Sequence, residues 1–551
     1  MRRSIVNKAK AAVATLGALV LGAGIVACSS EENADQAMPK EFGYILPEEI
    51  VTTNAGTALG VATDAVKLSA RLYPGAFIAG PDQQLLPNPD LVTATRSPQD
   101  TKQVDYVIND KATYSDGQPV VCDDFLLTQT ASAHTDLFGA DMPLFSQVQS
   151  IDCTAGSKTF SVHFNNGFGD RYRELFSAGT VLPSHTVGEK AEIPDVVAAI
   201  RSGNPTQLAA LGEAWQKTFT TAETDPSTVP TSGPYRISSR GEEGDLVFDT
   251  NPEWKGVKPA QSPIHVWPNT VDIKKLVENN QVAVADLDLD EKPTELGLTE
   301  PDYVTTTLDS SRVDTLRVAP AGPLSTPAQR RAFNGCVDRN AIAEALKKFS
   351  GANVHPTGLR VVQPTHPLAS QLQDINDTNS KVDIEAFKGL LQGATVRIGY
   401  LEATARYKII VDSIAESCRA AGVTVEGVPV TSKNFGTLGV DYDMMLDTRS
   451  SFGRNSTTNA NVGSQLKDIR AAEAQLATEA ITIPLVTEPR TIAVEEHVHN
   501  VVDNAGDGGV SWNMDRWEEQ AATIHEDQPS QQPSNSPTQS SSPPPGAGNP
   551  A

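Results

Sequence analysis

The chain has 551 residues, and its 68 acidic and 44 basic side chains give a formal net charge of −24 at pH 7. At about 100 to 200 residues per domain this length allows about three globular units, which excludes a small disulfide-stabilised scaffold. The acidity argues against nucleic acid and anionic lipid headgroups as partners, because a phosphate-rich surface is bound by a basic face. We therefore expect partners that are neutral, of mixed charge or cationic.

Residues 1–27 have the layout of a signal peptide. The first ten residues carry four basic side chains and no acid, and the apolar stretch at 11–26 is shorter than the roughly 20 residues of a membrane-spanning helix. Removal of this segment deepens the net charge from −24 to −28. The chain is therefore expected to be exported.

A cysteine follows this segment directly. The run Ile25-Val26-Ala27-Cys28 resembles a bacterial lipobox, whose cysteine becomes the acylated N-terminus. The alternative is an ordinary secreted protein with Cys28 at its cleavage site. Buried acyl chains would anchor the protein to the cell membrane, facing the outside or the periplasm. The polar residues 28–41 are expected to form a lipidated tether, and the Ser-, Pro- and Gln-rich residues 527–551 a disordered tail.

The first half of the mature chain shows strand and helix patterns. Apolar residues alternate with polar ones at 104–108 and 160–164, which predicts two half-buried strands. Between them a helix is expected to begin near Phe125, because Asp123 or Asp124 can cap its first turn.

Cysteines lie at the ends of these elements and in the second half. Cys122 and Cys153 are expected to pair in an exported protein, closing a loop of about thirty residues and stabilising the fold by about 3 kcal/mol in the chain-entropy model. Cys336 and Cys418 both fall on apolar helical faces. There, two buried free thiols and a second disulfide are both compatible with the sequence.

A strand, a helix and another strand follow one another in the second half. Alternation predicts a strand at 396–400, helical spacing predicts a helix over 407–421, and the next strand begins at 423. This is the pattern of a parallel crossover, with a further strand at 442–446. Earlier, Thr326 supplies the N-cap of a helix that has proline in its first turn.

The sequence shows no catalytic, metal or cofactor pattern that stands out. Phosphate-loop, nucleophile-elbow and zinc-helix motifs do not occur in it. Ser464 and Lys467 have the spacing of a nucleophile pair without its companion motifs. His497 and His499 share one side of a possible strand but lack a third metal ligand. We therefore predict a non-enzymatic protein that needs neither metal nor cofactor.

Six short motifs follow one another between residues 42 and 520. They are Leu72-Tyr73-Pro74-Gly75-Ala76-Phe77 with Leu86-Pro87-Asn88-Pro89-Asp90-Leu91; Tyr114-Ser115-Asp116-Gly117-Gln118-Pro119-Val120 with Asp123-Asp124-Phe125; Ser232-Gly233-Pro234-Tyr235; Asn251-Pro252-Glu253-Trp254; Arg330-Arg331-Ala332-Phe333 through Val337-Asp338-Arg339; and Ile483-Pro484-Leu485. In this order, behind a lipobox, the chain resembles the family 5 extracellular solute-binding proteins, the peptide- and nickel-binding group of ABC importers.

The resemblance implies an α/β protein with a two-lobe fold like that of the type II periplasmic binding proteins, with an extra subdomain in the first lobe. Lobe I would hold residues 42–268 and, on return, 486–526, and lobe II residues 269–485. Two hinge strands would join the lobes, which close over a ligand between them. Such a protein would be a monomer that captures an oligopeptide or similar solute and delivers it to an ABC permease.

The resemblance also places candidate ligand-binding residues near the end of a second-lobe strand. Asp447 would bind a peptide amino group, and Arg449 or Arg454 a carboxylate through the guanidinium fork. This stretch lacks the Asp-Pro segment of many peptide binders, and a solvated loop with internal ion pairs is the alternative. Tyr73 and Trp512 are candidate walls of the cleft, with core packing as the alternative.

The chain further resembles a lipoprotein branch of mycolic-acid bacteria, some members of which are linked to mannosylated glycolipid assembly. The alternative function is therefore an envelope lipoprotein that binds a glycolipid or regulates its assembly on the same fold. An acyl or sugar ligand would need an aromatic or neutral polar cleft, whereas a peptide needs charged groups for its termini.

Overall fold

The computed structural model of the protein describes residues 41–520, apart from 82–83, 309, 388, 451–464 and 505. Several predictions concern residues outside the described part: the signal peptide, the acylated Cys28, the tether before Glu41, Arg454, Ser464 and the tail. Among the described residues, no helix is both long enough and apolar enough to cross a membrane.

Strands and helices alternate irregularly along the described residues. The strands are β1 Gly43–Ile45, β2 Phe77–Ala79, β3 Leu85–Pro87, β4 Val92–Arg96, β5 Gln103–Ile108, β6 Val148–Cys153, β7 Thr159–Phe164, β8 Tyr235–Arg240, β9 Leu246–Thr250, β10 Ile264–Trp267, β11 Val284–Leu287, β12 Tyr303–Leu308, β13 Arg312–Val318, β14 Thr395–Leu401, β15 Thr424–Val430, β16 Met444–Ser450, β17 Thr482–Thr487, β18 Arg490–Glu495, β19 Val498–His499 and β20 Glu518–Glu519. The α-helices are α1 Ala58–Ala62, α2 Ala65–Ser69, α3 Cys122–Ala133, α4 Thr135–Phe138, α5 Ser184–Lys190, α6 Val196–Ser202, α7 Pro205–Lys217, α8 Ile273–Glu278, α9 Pro293–Leu296, α10 Pro327–Asn334, α11 Arg339–Ser350, α12 Gln373–Ser380, α13 Ala405–Arg419 and α14 Leu466–Glu479.

Seven strands form the main sheet of lobe I, in the order β12-β18-β11-β1-β10-β9-β8. The central strand β1 runs parallel to both of its neighbours, and its residues are buried, as is usual for parallel strands. Gly43 allows the close approach of another segment here, because a Cβ at this position would overlap the carbonyl oxygen of Gln281. Since β18 comes from late in the chain, lobe I is built from both ends of the described chain.

A separate antiparallel sheet, β4-β5-β7-β6, forms the extra subdomain of lobe I. The strands predicted at 104–108 and 160–164 are confirmed as β5 and β7. Tyr106 on β5 stacks on Phe160 of β7 with ring centroids 4.7 Å apart. The predicted helix is α3, in whose first turn the carboxylate of Asp124 accepts a hydrogen bond of 2.9 Å from the main-chain N–H of Val121.

Lobe II has a five-stranded sheet in the order β15-β14-β16-β13-β17. The predicted crossover is confirmed, because β14 and β15 run parallel and α13 connects them. The strand predicted at 442–446 is β16, which begins at Met444. Thr326 caps α10 as predicted: its hydroxyl accepts from the N–H of Gln329, whose side chain accepts from the N–H of Thr326. The two-lobe α/β fold class is thus confirmed.

Both pairs of cysteines form disulfides. Cys122 and Cys153 join the start of α3 to the end of β6, with 5.7 Å between their Cα atoms. Cys336 and Cys418 are also bonded, with 4.8 Å between Cα atoms, so the second pair is a disulfide and not two free thiols. Cys336 lies two residues beyond the end of α10, whereas the sequence placed it on a helix.

The chain crosses between the two sheets twice, from β12 to β13 and from β17 to β18. The sequence prediction began lobe II at residue 269. The structure moves this boundary to about residue 309, because β11 pairs with β1 and β18 in the first sheet, and β12 pairs with β18. Lobe I therefore comprises residues 41–308 and 490–520, and lobe II residues 312–487.

Candidate ligand-binding site between the lobes

At three places a carboxylate of lobe I forms an ion pair with a buried arginine of lobe II. All three arginine side chains are about 1% exposed, so the lobes are closed on one another here. Each pair is an ion pair that exists only while the lobes touch. The pairs are Asp64 with Arg312, Asp141 with Arg449, and Asp288 with Arg406.

The Asp64–Arg312 pair lies beside the first crossing. Asp64 separates α1 from α2, and its two oxygens accept from Arg312 Nη1 and Nη2 at 2.6 and 2.5 Å. Lys67, one turn further on, lies 3.0 Å from the same carboxylate. Burial raises the pKa of Asp64, but Arg312 and Lys67 outweigh burial and hold this pKa well below its ordinary value. The carboxylate is therefore ionised in the closed structure.

A second group, called here the Asp141 cluster, consists of Asp141, Arg317, Asp447 and Arg449. Arg317 Nη1 lies 2.9 Å from Asp141 Oδ2, and Arg317 Nε donates to Asp447 Oδ2 at 2.9 Å. Arg449 Nε donates to Asp447 Oδ1 at 2.7 Å, and Arg449 Nη2 donates to Asp141. Two guanidiniums and two carboxylates thus alternate, with one carboxylate supplied by the opposite lobe.

Strand register explains why the three lobe II members of this cluster meet. Asp447 and Arg449 are two residues apart on β16, so their side chains lie on one face of the sheet. Arg317 on β13 stands opposite Met445, which makes Asp447 its diagonal neighbour. Both strands are almost wholly buried, and the charges are tolerated because each has an opposite charge within hydrogen-bonding distance.

A third group, called here the hinge cluster, surrounds Arg406 in the first turn of α13. The guanidinium donates to Asp288 of lobe I at 2.5 Å, and to Glu488 and Thr448 at 2.8 and 2.9 Å. Thr448 in turn donates to Asp314 at 2.6 Å. Because Glu488 belongs to the second crossing, Arg406 connects lobe I, lobe II and a hinge through one side chain.

Burial shifts the protonation of carboxyl groups at this contact. It raises the pKa of Asp314 to about 6, with Glu488 acting in the same direction and Arg406 opposing it. It also raises the pKa of Glu291 to about 8, although a hydrogen bond from the N–H of Asp288 favours the ionised form. Two carboxyl groups near the lobe contact therefore exchange protons near neutral pH.

The sequence of this two-lobe chain matches a family model over residues 87–463, described as bacterial extracellular solute-binding proteins, family 5. The chain belongs to this family. An uncharacterized lipoprotein of Mycobacterium bovis is a relative of similar length. It is 30% identical to this family 5 protein over 552 aligned residues, which cover 91% of this chain and 96% of the relative.

Solved structures share the fold of this family 5 protein. The AgaA protein of A. tumefaciens R10, solved with agropinic acid, matches with a TM-score of 0.65 and 14% identity over 87% of this chain and 99% of its own. The oligopeptide-binding protein AppA of Bacillus subtilis, solved with a nonapeptide, matches with a TM-score of 0.64 and 12% identity over 88% of this chain and 100% of its own. At these identities the likeness concerns the fold.

Of the predicted ligand-binding residues, four lie within the described part of the family 5 protein. Two of these four come together. Asp447 and Arg449 lie in the Asp141 cluster, within strand β16 and not in a solvated loop. Tyr73 is 1% exposed in the core of lobe I, where its hydroxyl donates to the carbonyl of Pro230 at 3.1 Å and its ring meets the edge of Phe219. Of the two alternatives left open for Tyr73, a cleft wall or core packing, this position fits core packing.

Trp512 also lies on lobe I. Its ring is partly buried beside Gly80, and its indole N–H donates to the carbonyl of Val502 at 2.9 Å. Both Gly80 and Val502 belong to lobe I. The aromatic side chains that the sequence offered as cleft walls therefore belong to the packing of lobe I.

Sequence reasoning missed the partners of Arg449 and Asp447. Asp141 is 308 residues away from Arg449 in the chain, so no local spacing connects them. One signal was available: β13 carries Arg312, Asp314 and Arg317 in a strand that is otherwise apolar or neutral. Charges in a buried strand need partners, and their presence marked β13 as facing a polar contact.

Proposed function

We propose that this protein is a lipid-anchored receptor of an ABC importer, which captures an oligopeptide or a similar charged solute between its lobes and delivers it to the permease. The observation that carries the proposal is the charge of the two surfaces that meet between the lobes. Separating the lobes leaves an excess of carboxylates on the contact surface of lobe I and an excess of guanidiniums on that of lobe II. A ligand that enters must replace these ion pairs with its own charged groups.

Peptides have the chemistry that such surfaces need. A zwitterionic solute offers an ammonium group to the carboxylates and a carboxylate group to the guanidiniums. An acyl chain or a neutral sugar would leave buried charges unpaired, which is strongly unfavourable. The charged contact therefore supports a peptide-like ligand over the glycolipid alternative.

Closure of the two lobes would enclose the solute. The two crossings at 308–312 and 487–490 are short and lie close together, as in hinge-bending proteins. Closing over the solute shields it from water and holds it between the two lobe surfaces that meet the permease.

Anchoring is proposed to depend on Cys28. The relative in Mycobacterium bovis is named as a lipoprotein, and a lipid on Cys28 would hold the acidic body at the outer face of the cell membrane without any basic surface. Replacement of Cys28 by Ala should release the protein from the membrane fraction into the medium. Retention of the Cys28→Ala variant in the membrane fraction would contradict this assignment.

Native mass spectrometry of protein taken gently from its own cells tests the ligand class. We expect peptides to co-purify with the wild type. Their amount should fall in Arg449→Gln and stay unchanged in Arg470→Gln, which alters an exposed arginine on α14. A glycolipid in place of peptides would transfer support to the alternative function, that of an envelope glycolipid-binding or assembly-regulating lipoprotein.

A further inference from the structure

The Asp141 cluster has unequal charge on its two sides. Lobe II contributes the two guanidiniums of Arg317 and Arg449 and the carboxylate of Asp447, so it holds one positive charge in excess within the cluster. The sequence after β16, residues 451–464, contains no acidic residue. Asp141 of lobe I balances the excess in the closed structure.

Asp447 is already engaged by both arginines. Its Oδ1 accepts from Arg449 Nε at 2.7 Å, and its Oδ2 accepts from Arg317 Nε and Arg449 Nη2, each at 2.9 Å. The side chain is fully buried. Asp447 is therefore a positioning residue that orients the two guanidinium planes, which differs from the amine-binding role expected from the sequence.

The two guanidiniums converge on one oxygen of Asp141. Arg317 Nη1 lies 2.9 Å from Oδ2, to which Arg449 Nη2 also donates. The main chain of Asp141 is held by a hydrogen bond of 2.8 Å from its N–H to the carbonyl of Gly56, and its side chain keeps 11% exposure. Two arginine forks aimed at one carboxylate oxygen make a receptor for an oxyanion.

We propose that Arg317 and Arg449 form the oxyanion subsite of the cleft and that Asp141 occupies this subsite when no ligand is bound. The inference rests on the proposed function, because it assigns the anionic group of the solute to the same cleft. A carboxylate or similar oxyanion of the ligand takes the place of Asp141. A neutral ligand that displaced Asp141 would remove an anion that both buried guanidiniums contact and would put no charge in its place, so the subsite selects anionic solutes.

Asp141 also sets the apparent affinity. Molecules closed by Asp141 are not competent to bind, so the apparent dissociation constant equals the intrinsic one divided by the fraction of open molecules. Removing the charge of Asp141 while keeping its shape should favour the open form and tighten binding of an anionic ligand. The conservative Asp141→Glu variant keeps the charge and should retain closure.

The first experiment measures the distance between the lobes without ligand. Spin labels are attached to full-length protein through Glu243→Cys on lobe I and Lys433→Cys on lobe II, both of which are exposed positions. We expect Asp141→Asn to raise the ratio of open to closed molecules by about tenfold or more, the scale of one charge-assisted hydrogen bond. Asp141→Glu and the surface control Asp374→Asn should match the unmodified parent. An unchanged distance distribution in Asp141→Asn would overturn the role of Asp141.

The second experiment measures thermal shifts with three probes. These are a pool of short random peptides with free C-termini, the same pool with C-terminal amides, and inorganic phosphate. We expect the free-acid pool to stabilise the wild type, and to stabilise Asp141→Asn at about tenfold lower concentration. The amidated pool should act weakly on both, and Arg317→Gln should abolish the difference between the pools. A response to phosphate would identify any oxyanion as sufficient.

The outcomes separate the subsite from the proposed function. Equal shifts by the free-acid and amidated pools overturn the oxyanion subsite and leave a peptide receptor standing. If neither pool acts but phosphate acts more strongly on Asp141→Asn than on the wild type, the peptide function fails and the subsite stands. If none of the probes acts differently on Asp141→Asn, the subsite is rejected.

Discussion

Each charged side chain at the lobe contact is balanced chiefly by residues far away in the chain. Arg312 is paired with Asp64, and its Nε also lies 3.4 Å from Glu488 and 3.6 Å from Asp507. Arg406 likewise forms ion pairs with three carboxylates, those of Asp288, Asp314 and Glu488. Such groups contribute little net stability as intact pairs, but they are costly to break, because the remaining partner stays buried with its charge.

Replacing Arg312 by Gln should therefore destabilise the protein strongly. Asp64 would keep only Lys67 as its cation and Glu488 only Arg406, and the loss of a buried partner costs up to about 3 to 5 kcal/mol in the free energy of unfolding. Urea denaturation of purified protein measures this change. The matched control is Arg470→Gln, which breaks an exposed ion pair with Asp374 and should change the unfolding midpoint little. Equal effects of the two substitutions would show that burial does not set the cost.

Asp314 should make stability depend on pH. Its pKa in the folded protein is about 6, above the value of about 3.9 of an unfolded aspartate. The folded state therefore holds the proton more tightly, and this stabilisation is complete below about pH 4 and is lost as the pH rises through about 6. When the pH falls from about 7 to about 4, Asp314 should add about 2 kcal/mol to the free energy of unfolding of the wild type, and Asp314→Asn should lack this contribution. Urea denaturation of both proteins across this pH range measures the difference. Parallel pH profiles would contradict the assignment.

Single residues were predicted from the sequence only where a motif surrounded them. Asp447 and Arg449 were found because the family resemblance marked their stretch. Asp141, Asp64 and Asp288 were not, since their importance depends on which lobe II side chain they meet after folding. The environment of Tyr73 was left open between a cleft wall and the core, because an aromatic residue in a motif has the same appearance in either place.

At the scale of elements, the parts with a strong periodic pattern agree with the sequence. The crossover from β14 through α13 to β15 was predicted because alternation and helical spacing both extend over many residues there. The boundary between the lobes was misplaced because β11 has four residues, and its partners β1 and β18 come from distant segments. Pairing of a short strand is decided by the sheet it joins.

The two disulfides should differ in their contribution to stability. The Cys336–Cys418 bridge spans 82 residues and the Cys122–Cys153 bridge spans 31. Chain-entropy arguments give about 4 kcal/mol for the longer loop and somewhat less for the shorter one. We expect the double variant Cys336→Ser/Cys418→Ser to lose more free energy of unfolding than Cys122→Ser/Cys153→Ser. The reverse order would mean that strain or residual structure outweighs loop closure.

At the scale of the whole molecule, the closed arrangement needs no ligand to satisfy the arginines at the lobe contact. The three lobe-crossing pairs of Asp64, Asp141 and Asp288 supply their counter-charges. The net charge of −24 does not oppose closure, because it is divided unequally between the lobes: residues 312–487 of lobe II carry 19 basic and 17 acidic side chains, so lobe I holds almost all of the net negative charge. Closure therefore depends chiefly on the buried ion pairs between the lobes.

The burial of these pairs predicts the response to salt. Raising the ionic strength from about 0.1 M to about 1 M screens charges that act through solvent but screens buried pairs much less. The ligand-free protein should therefore stay closed as salt is added. The interlobe distance between labels at positions 243 and 433 measures this. Progressive opening with salt would indicate that the lobe-crossing pairs are accessible to water in solution.

The two-lobe architecture itself was predictable, because the order of six motifs carried it, whereas the closed contact was not. The order of the motifs indicates a fold that is common to many sequences. The contact between the lobes depends on a few charged side chains that lie far apart in the chain, and these form no local pattern.

The two crossings have one more consequence. Val313 and Thr487, the residues just inside lobe II at each crossing, are cross-strand partners in the pair β13–β17. Lobe II is thus a continuous segment whose ends stand side by side, in the manner of an inserted domain. It could be exchanged for the matching segment of a relative without lengthening either connection. A chimera of this kind would take its guanidinium surface from one parent and its carboxylate surface from the other.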